Sequence, residues 1–574
     1  MNIDKTLKMN ITLVGALCFF LAMFTSAIAG GILNYSAVPH WDAWGLWKQI
    51  IVDGQSPTSF TWLWSQHNEH RLVITRILFW LDYTLFSASH VPLILLNYIF
   101  ALLSCIVFHF YVQSIGEARG WSNKFIFAVS LAISGWLFSL MQWENFYWEF
   151  QSQFFLAQLL PFTVFFLLFK SKYGELDVAF WAACVLGVLS AGCMANGVLA
   201  LPMAFVYLVL AGDSPRKKII ILLLSIVVGT AYFRNYTSPA GHDHLLDALR
   251  NRPVEFFNYV TIYLGAPFGY IFKSKLIAII FGVALIEMAA FFFWKIATQK
   301  KPLNARQKIN LSLLFFIGYV TVTAVGTAGG RLIFGIDQAL SYRYTTPTIM
   351  AWSALFVILA NNLVLTQINS LKRYAIIGFC VLFVVASLAF QMRVEPKGPI
   401  ALRKNAALSL VMGVNDASVI RSDLYRDVNV PVEVAFVAKQ KGILGFGQYP
   451  LKNAMNGVGA KWSNAISNNC IGHMDMIDTI DEDARFFRVQ GWIYDNNAKV
   501  PPKFMRFVDK DQVIRGYALT GIERDDVAKV VGRGAKKAGF LGYIDRAMLG
   551  EWMLAYGDEP GCRLDIGSLF SSKK

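Results

Sequence analysis

The sequence predicts an α-helical polytopic membrane protein with a C-terminal, extracytoplasmic, β-rich domain, and three observations carry that prediction. Of its 574 residues, 56% are apolar and 16% charged, against roughly 25% charged in a soluble globular chain. The apolar residues gather in runs of about 20, the length at which a helix rising about 1.5 Å per residue crosses a hydrocarbon layer of roughly 30 Å. Beyond Met392 such runs stop and the composition becomes that of a soluble domain. The expected organisation is a transmembrane part over 1–392 and a C-terminal part over 393–574.

About eleven spans are expected, at 10–33, 91–114, 124–141, 154–170, 178–194, 197–211, 219–234, 275–295, 309–328, 344–365 and 374–391. The first is read as a retained helix, because it is longer than a signal peptide, lacks a small-residue cleavage site and is followed by further spans. Orientation follows from the basic residues in short loops. Lys5 and Lys8, Arg119 and Lys124, Lys170 and Lys172, Arg216 to Lys218, Lys300 to Lys308, and Lys372 with Arg373 alternate with the spans as cytoplasmic positions should. That use of the basic excess also removes nucleic acid as a partner, despite a formal net charge of +15. Residues 257–272 are apolar enough to count as a span, but counting them would place ATQKKPLNARQK outside and the C-terminal domain inside. They are therefore expected to be interfacial or re-entrant, interrupted by Gly265, Pro267 and Gly269.

In the C-terminal part, RFFRVQGWIYDNN, PPKFMRFVDKD and QVIRGYALTG read as short strands between turns. A small sandwich from about 470 is expected, preceded by one helical pattern near Val432–Gln440. Five cysteines, Cys18, Cys105, Cys184, Cys193 and Cys380, lie in apolar runs, whereas Cys470 and Cys562 stand alone in the C-terminal part. An oxidising compartment would join these two.

The unusual polar residues fall in the outer loops. In the first, Trp41, Trp44, Trp47, Trp62 and Trp64 are mostly expected to be interfacial belt residues. Asp42 and the run His67, Asn68, Glu69, His70, Arg71 do not suit a belt, although Glu69 and Arg71 also fit a salt-bridged helix start. Juxtamembrane charges of this kind point to function. Asp42 suits proton abstraction as a general base, Glu69 a second carboxylate, and Arg71 bidentate phosphate binding. Asp42, Glu69 and His70 are the residues on which a divalent cation, Mg or Mn, would rest. HNEHR lacks the spacing of the zinc-protease motif, and a zinc site is not expected. The second loop places Glu144, Glu149, Gln151 and Gln153 among aromatics, a setting for sugar hydroxyls. The last offers Arg331, Asp337, Arg343 and Tyr344. Arginines on the outer face run against the positive-inside rule and suit a lipid-linked phosphate, with an Arg331–Asp337 structural pair as the alternative.

Asp42 soon after the first span, HNEHR at 67–71, ENFYWEFQSQ at 144–153, the ANG break at 195–197 followed by Pro202, and GRLIFGIDQALSYRY at 330–344 together resemble the polytopic glycosyltransferases of the GT-C fold. The resemblance spans most of the membrane part. It implies inverting transfer of a sugar from a polyprenyl-phosphate donor to an envelope glycan or lipid acceptor, at the periplasmic face of a bacterial inner membrane, with Asp42 as base. Ala43 follows Asp42 where the family carries a paired acidic residue, so the resemblance does not imply a metal here. An O-antigen polymerase or ligase, a flippase for lipid-linked sugars, and a non-catalytic scaffold are the competing classes. No internal repeat of the kind transporters show is visible.

Overall fold

The computed structural model describes residues 2–238, 241, 245–299, 302–362, 369–394, 400–455, 457–463 and 468–568. The described chain divides into two compact units: 1–34, 57–78 and 93–396 form the first, and 35–56, 79–92 and 397–574 the second.

The first unit is helical. Seven of its helices are long and apolar enough to cross a membrane: Met9–Leu33, Val91–Arg119, Asn123–Tyr147, Glu149–Lys170, Lys275–Ala297, Ala305–Phe334 and Ser370–Arg393. The other four expected spans do not meet that standard. Val178–Ser190 and Ala195–Ala211 are shorter apolar helices, Pro215–Phe233 opens with three basic residues, and Thr345–Asn362 is followed by residues outside those described. Among the described residues membrane character thus rests on seven helices, and the count of eleven is not confirmed.

The expected interruption at 257–272 is absent, because Pro253–Phe272 is one continuous helix. Pro267 removes one backbone donor, and the Trp352 indole donates to the nearby Leu264 carbonyl at 2.9 Å. The glycines serve packing. A Cβ on Gly265 would strike the Ala278 carbonyl, and one on Gly282 the Thr261 carbonyl, so this helix and Lys275–Ala297 meet backbone to backbone. Gln391 joins two further elements: its Oε1 accepts from the Leu140 amide at 2.8 Å, and its Nε2 donates to Ser26 Oγ at 2.7 Å. This staple holds the break after Leu137, from which 140–151 continues as three short helical turns.

In the second unit, 400–454 is helical (Ile400–Met412, Ala417–Asp423, Asn429–Lys441 and Leu451–Ala454). The strands that follow form one seven-stranded antiparallel sheet, where a two-sheet sandwich was expected. In chain order they are β3 Ile471–Thr479, β4 Phe486–Tyr494, β5 Phe504–Asp509, β6 Ile514–Ile522, β7 Gly539–Asp545, β8 Trp552–Asp558 and β9 Cys562–Ser568, arranged β3-β4-β7-β6-β5-β8-β9. The sheet curls into a half-barrel, so a single sheet supplies its own core. Phe487, Val489, Met505, Phe507, Phe540 and Ile544 fill it, and the Ile400–Met412 helix packs against β6 and β7. The two edge strands are tied at one end by a Cys470–Cys562 disulfide, with Cα atoms 5.4 Å apart.

Segments of the first outer loop belong to this second unit. Trp44 and Trp47 are fully buried in it, Trp47 packing on Phe79 at 4.8 Å and on His90 at 5.4 Å. Trp62, in the first unit, is buried as well. The belt expectation is corrected for these three residues, whose rings are core.

Candidate functional site

The HNEHR segment folds as a minimal hairpin, β1 Gln66–His67 paired with β2 His70–Arg71. Asn68 turns it at φ +49°, a left-handed conformation that Asn tolerates better than most residues. Arg71 fastens the hairpin to the first unit. Its Nε donates to the Tyr232 carbonyl at 2.9 Å, its Nη2 to the Arg234 carbonyl at 2.8 Å, and its Nη1 to the Trp64 carbonyl. The guanidinium also covers the rings of Trp64 and Tyr232. Tyr232 Oη donates to the Glu69 carbonyl at 2.8 Å, and Gln66 exchanges bonds with the Thr237 backbone. A guanidinium engaged by three backbone carbonyls and buried to 5% exposure is a clamp. Phosphate binding by Arg71 and a Glu69–Arg71 bridge are both corrected on that ground.

With its backbone held, Glu69 presents its carboxylate to the last outer loop. Oε1 accepts from Arg331 Nη2 at 2.7 Å, His70 Nε2 lies 3.6 Å away, and Oε2 is buried without a partner among the described residues. His70 Nδ1 accepts the Ala195 amide at 3.1 Å, so the ring proton sits on Nε2, facing Glu69. Burial opposes ionisation of Glu69, but His70 and Arg331 outweigh it and hold the pKa at about 2. His67 packs against Phe150 with ring centres 5.5 Å apart. The hairpin therefore touches three other segments singled out in the sequence: the ANG turn, the 144–153 segment and the loop after Ala305–Arg331.

A second charged pair lies beside the first. Glu144 is within charge range of Arg343, and Asn145 Nδ2 donates to the Arg343 carbonyl at 2.9 Å and to Thr346 Oγ1 at 2.7 Å. Tyr259 is in electrostatic reach of both Arg331 and Arg343. The Arg343 guanidinium lies 5.5 Å from the Tyr344 ring centre, and Tyr344 in turn packs on Tyr263 at 5.3 Å. The 142–153 segment, expected as a short outer loop, is largely buried, because Phe146, Trp148 and Phe150 pull it inward. Gln151 is fully buried, and neither end of its amide has a partner among the described residues.

Two expected residues lie elsewhere. Asp337 is exposed and paired with Lys275, so it neither joins the site nor bridges Arg331. Asp42 begins the short helix Asp42–Trp47 of the second unit. There the Trp41 amide donates to the Leu424 carbonyl at 3.0 Å, and Asp42 acts electrostatically on Tyr425. Among the described residues no group of three His, Cys, Asp or Glu is placed to hold a metal. Glu69 is engaged by Arg331 and His70 Nδ1 by the Ala195 amide, and Asp42 belongs to the other unit.

Two contributors carried no signal in the sequence, Tyr232 and Tyr259, and the roles of the Ala195 amide and Arg76 were not legible there. Arg76 is 1% exposed and donates from Nη1 to the Leu63 and Ser65 carbonyls at 3.0 and 2.6 Å, propping the chain that leads into the hairpin. An aromatic within an apolar run and a backbone amide look ordinary in a sequence. No protein-family model matches this chain, and a search of curated proteins finds no match.

Proposed function

We propose that the chain is a GT-C-like glycosyltransferase that takes a sugar from a polyprenyl-phosphate donor and passes it to a glycan or glycolipid of the cell envelope. The observation that supports this reading is the clustering of Glu69–Arg331 and Glu144–Arg343, drawn from segments far apart in the chain and lined by tyrosines. Arg331 and Arg343 supply charge for a phosphate, and Glu144, Gln151 and the tyrosines supply hydroxyl partners and aromatic faces for a sugar ring. A carboxylate with a pKa of about 2 is a weak general base at neutral pH. Glu69 is accordingly assigned the role of holding Arg331 in position until phosphate displaces it, with His70 as its second contact. The base role that the resemblance implies stays with Asp42. The Cys470–Cys562 bond supports a periplasmic second unit, and hence the bacterial inner membrane with a cytoplasmic N-terminus.

The test is mass spectrometry of lipopolysaccharide and other surface glycans from cells carrying the intact gene, a deletion, Arg331→Gln or Asp42→Asn. Loss of one sugar per repeat in the deletion and in Arg331→Gln is expected. Asp42→Asn decides separately whether that carboxylate is the base. Altered chain length at constant repeat mass would replace this reading with a polymerase or ligase, and unchanged glycans would replace it with a transporter or scaffold.

A further inference from the structure

At the end of the first unit whose described loops carry Arg119, Lys124 and Arg306, the helices Val91–Arg119, Lys275–Ala297, Ala305–Arg331 and Thr345–Asn362 border a half-open cavity of about 310 Å³. That volume is at the lower end for ligand sites. Three cations line it, Arg119, Lys295 and Arg306, and no carboxylate is among the described lining residues. Arg306 is held toward the Arg119 helix by a bond from its Nη2 to the Ala118 carbonyl at 3.0 Å, so the like charges are gathered by the fold. The positive-inside rule accounts for basic residues in these loops, but it does not require them to share a cavity. The rest of the lining is largely amide. Asn361, 4% exposed, donates from Nδ2 to Asn310 Oδ1 at 2.7 Å, while its Oδ1 is buried with no partner among the described residues.

We infer that this cavity binds a phosphate ester that also carries a hydroxyl, with the three cations on the phosphate oxygens and Asn361 Oδ1 accepting the hydroxyl. A phosphoglycerol group has both features. It is available as a lipid headgroup, and basic pockets between transmembrane helices favour such headgroups, or as free glycerol phosphate. The site is separate from the Glu69–Arg331 cluster and independent of the reading proposed for it.

The experiment is native mass spectrometry of the full chain in detergent, titrated with dioleoyl phosphatidylglycerol, with dioleoyl phosphatidylcholine, or with glycerol 3-phosphate. Lys295→Gln/Arg306→Gln is the comparison, since both side chains are exposed and their loss leaves packing intact. The double variant should lose roughly thirtyfold in phosphatidylglycerol affinity with phosphatidylcholine unchanged. Binding of glycerol 3-phosphate that shares this loss would identify a soluble ester as ligand; binding of the lipid alone would identify the headgroup. Equal phosphatidylglycerol affinity in wild type and variant, or no preference over phosphatidylcholine, would overturn the site.

Discussion

Glu69→Gln removes the carboxylate that neutralises Arg331 while keeping the side chain's size. The pKa of Glu69 falls from 4.5 to about 2, and at about 1.4 kcal/mol per tenfold change this corresponds to about 3 kcal/mol favouring the carboxylate in the folded state. Each side chain is 22% exposed, so water trims the pair's own coupling to about 2 kcal/mol. The assay is a double-mutant cycle of Glu69→Gln, Arg331→Gln and the pair, read by denaturant unfolding in detergent. Each single variant should be destabilised, and the double variant by clearly less than their sum. The pH dependence has a fixed sign. A depressed carboxylate pKa stabilises the fold above the unfolded value of about 4.5 and loses that contribution as pH falls toward about 2. The gap between wild type and Glu69→Gln should therefore close across that window. Additive single effects, or a gap of constant size from pH 6 to pH 3, would refute the pairing.

Removing the Cys470–Cys562 bond with serines, which opens a loop of sequence separation 92, should cost about 4 kcal/mol in the second unit, measured as lowered denaturant resistance. In that unit Asp82 accepts from the His90 amide at 3.0 Å, and burial raises its pKa to about 6. A raised carboxyl pKa favours the fold at low pH, so stability should decline by about 3 kcal/mol as pH rises from about 4 through 6; in Asp82→Asn, titrated the same way, that slope should disappear. On the reading proposed above, in which Glu69 and His70 are engaged by Arg331 and Ala195, chelation with EDTA should leave the proposed sugar transfer in isolated membranes within about twofold of control, and a loss of orders of magnitude would place a metal in the mechanism.

What the sequence made legible was placement along the chain; what it left out was partnership. Apolar length located the spanning helices, and ionisable residues in a hydrophobic setting marked out Glu69, Arg331, Glu144 and Arg343. The partners of an arginine are not written beside it, however. Arg71 looked like a phosphate ligand because its three carbonyl acceptors lie at Trp64, Tyr232 and Arg234, two of them more than 160 residues away. Trp44 and Trp47 looked like belt residues because their environment comes from chain contributed elsewhere in the second unit. Alternation identified strands, but it does not say whether strands close one curled sheet or two flat ones. At 257–272 glycine and proline suggested a break, whereas in an apolar helix glycine also lets a neighbouring backbone approach.

The second unit is assembled from 35–56, 79–92 and 397–568, and this dictates an order of events during synthesis. Trp44, Trp47 and the Asp42 helix leave the ribosome more than 300 residues before the Asn429–Lys441 helix that packs against them. Until that helix is made, part of their aromatic surface waits uncovered, a state that invites a chaperone. A C-terminal fragment beginning near residue 397 would lack those tryptophans and expose the surface they fill. Conversely, a premature stop within the last third would strand them, so that nonsense variants late in the gene should be cleared by quality control rather than accumulate as membrane-inserted remnants.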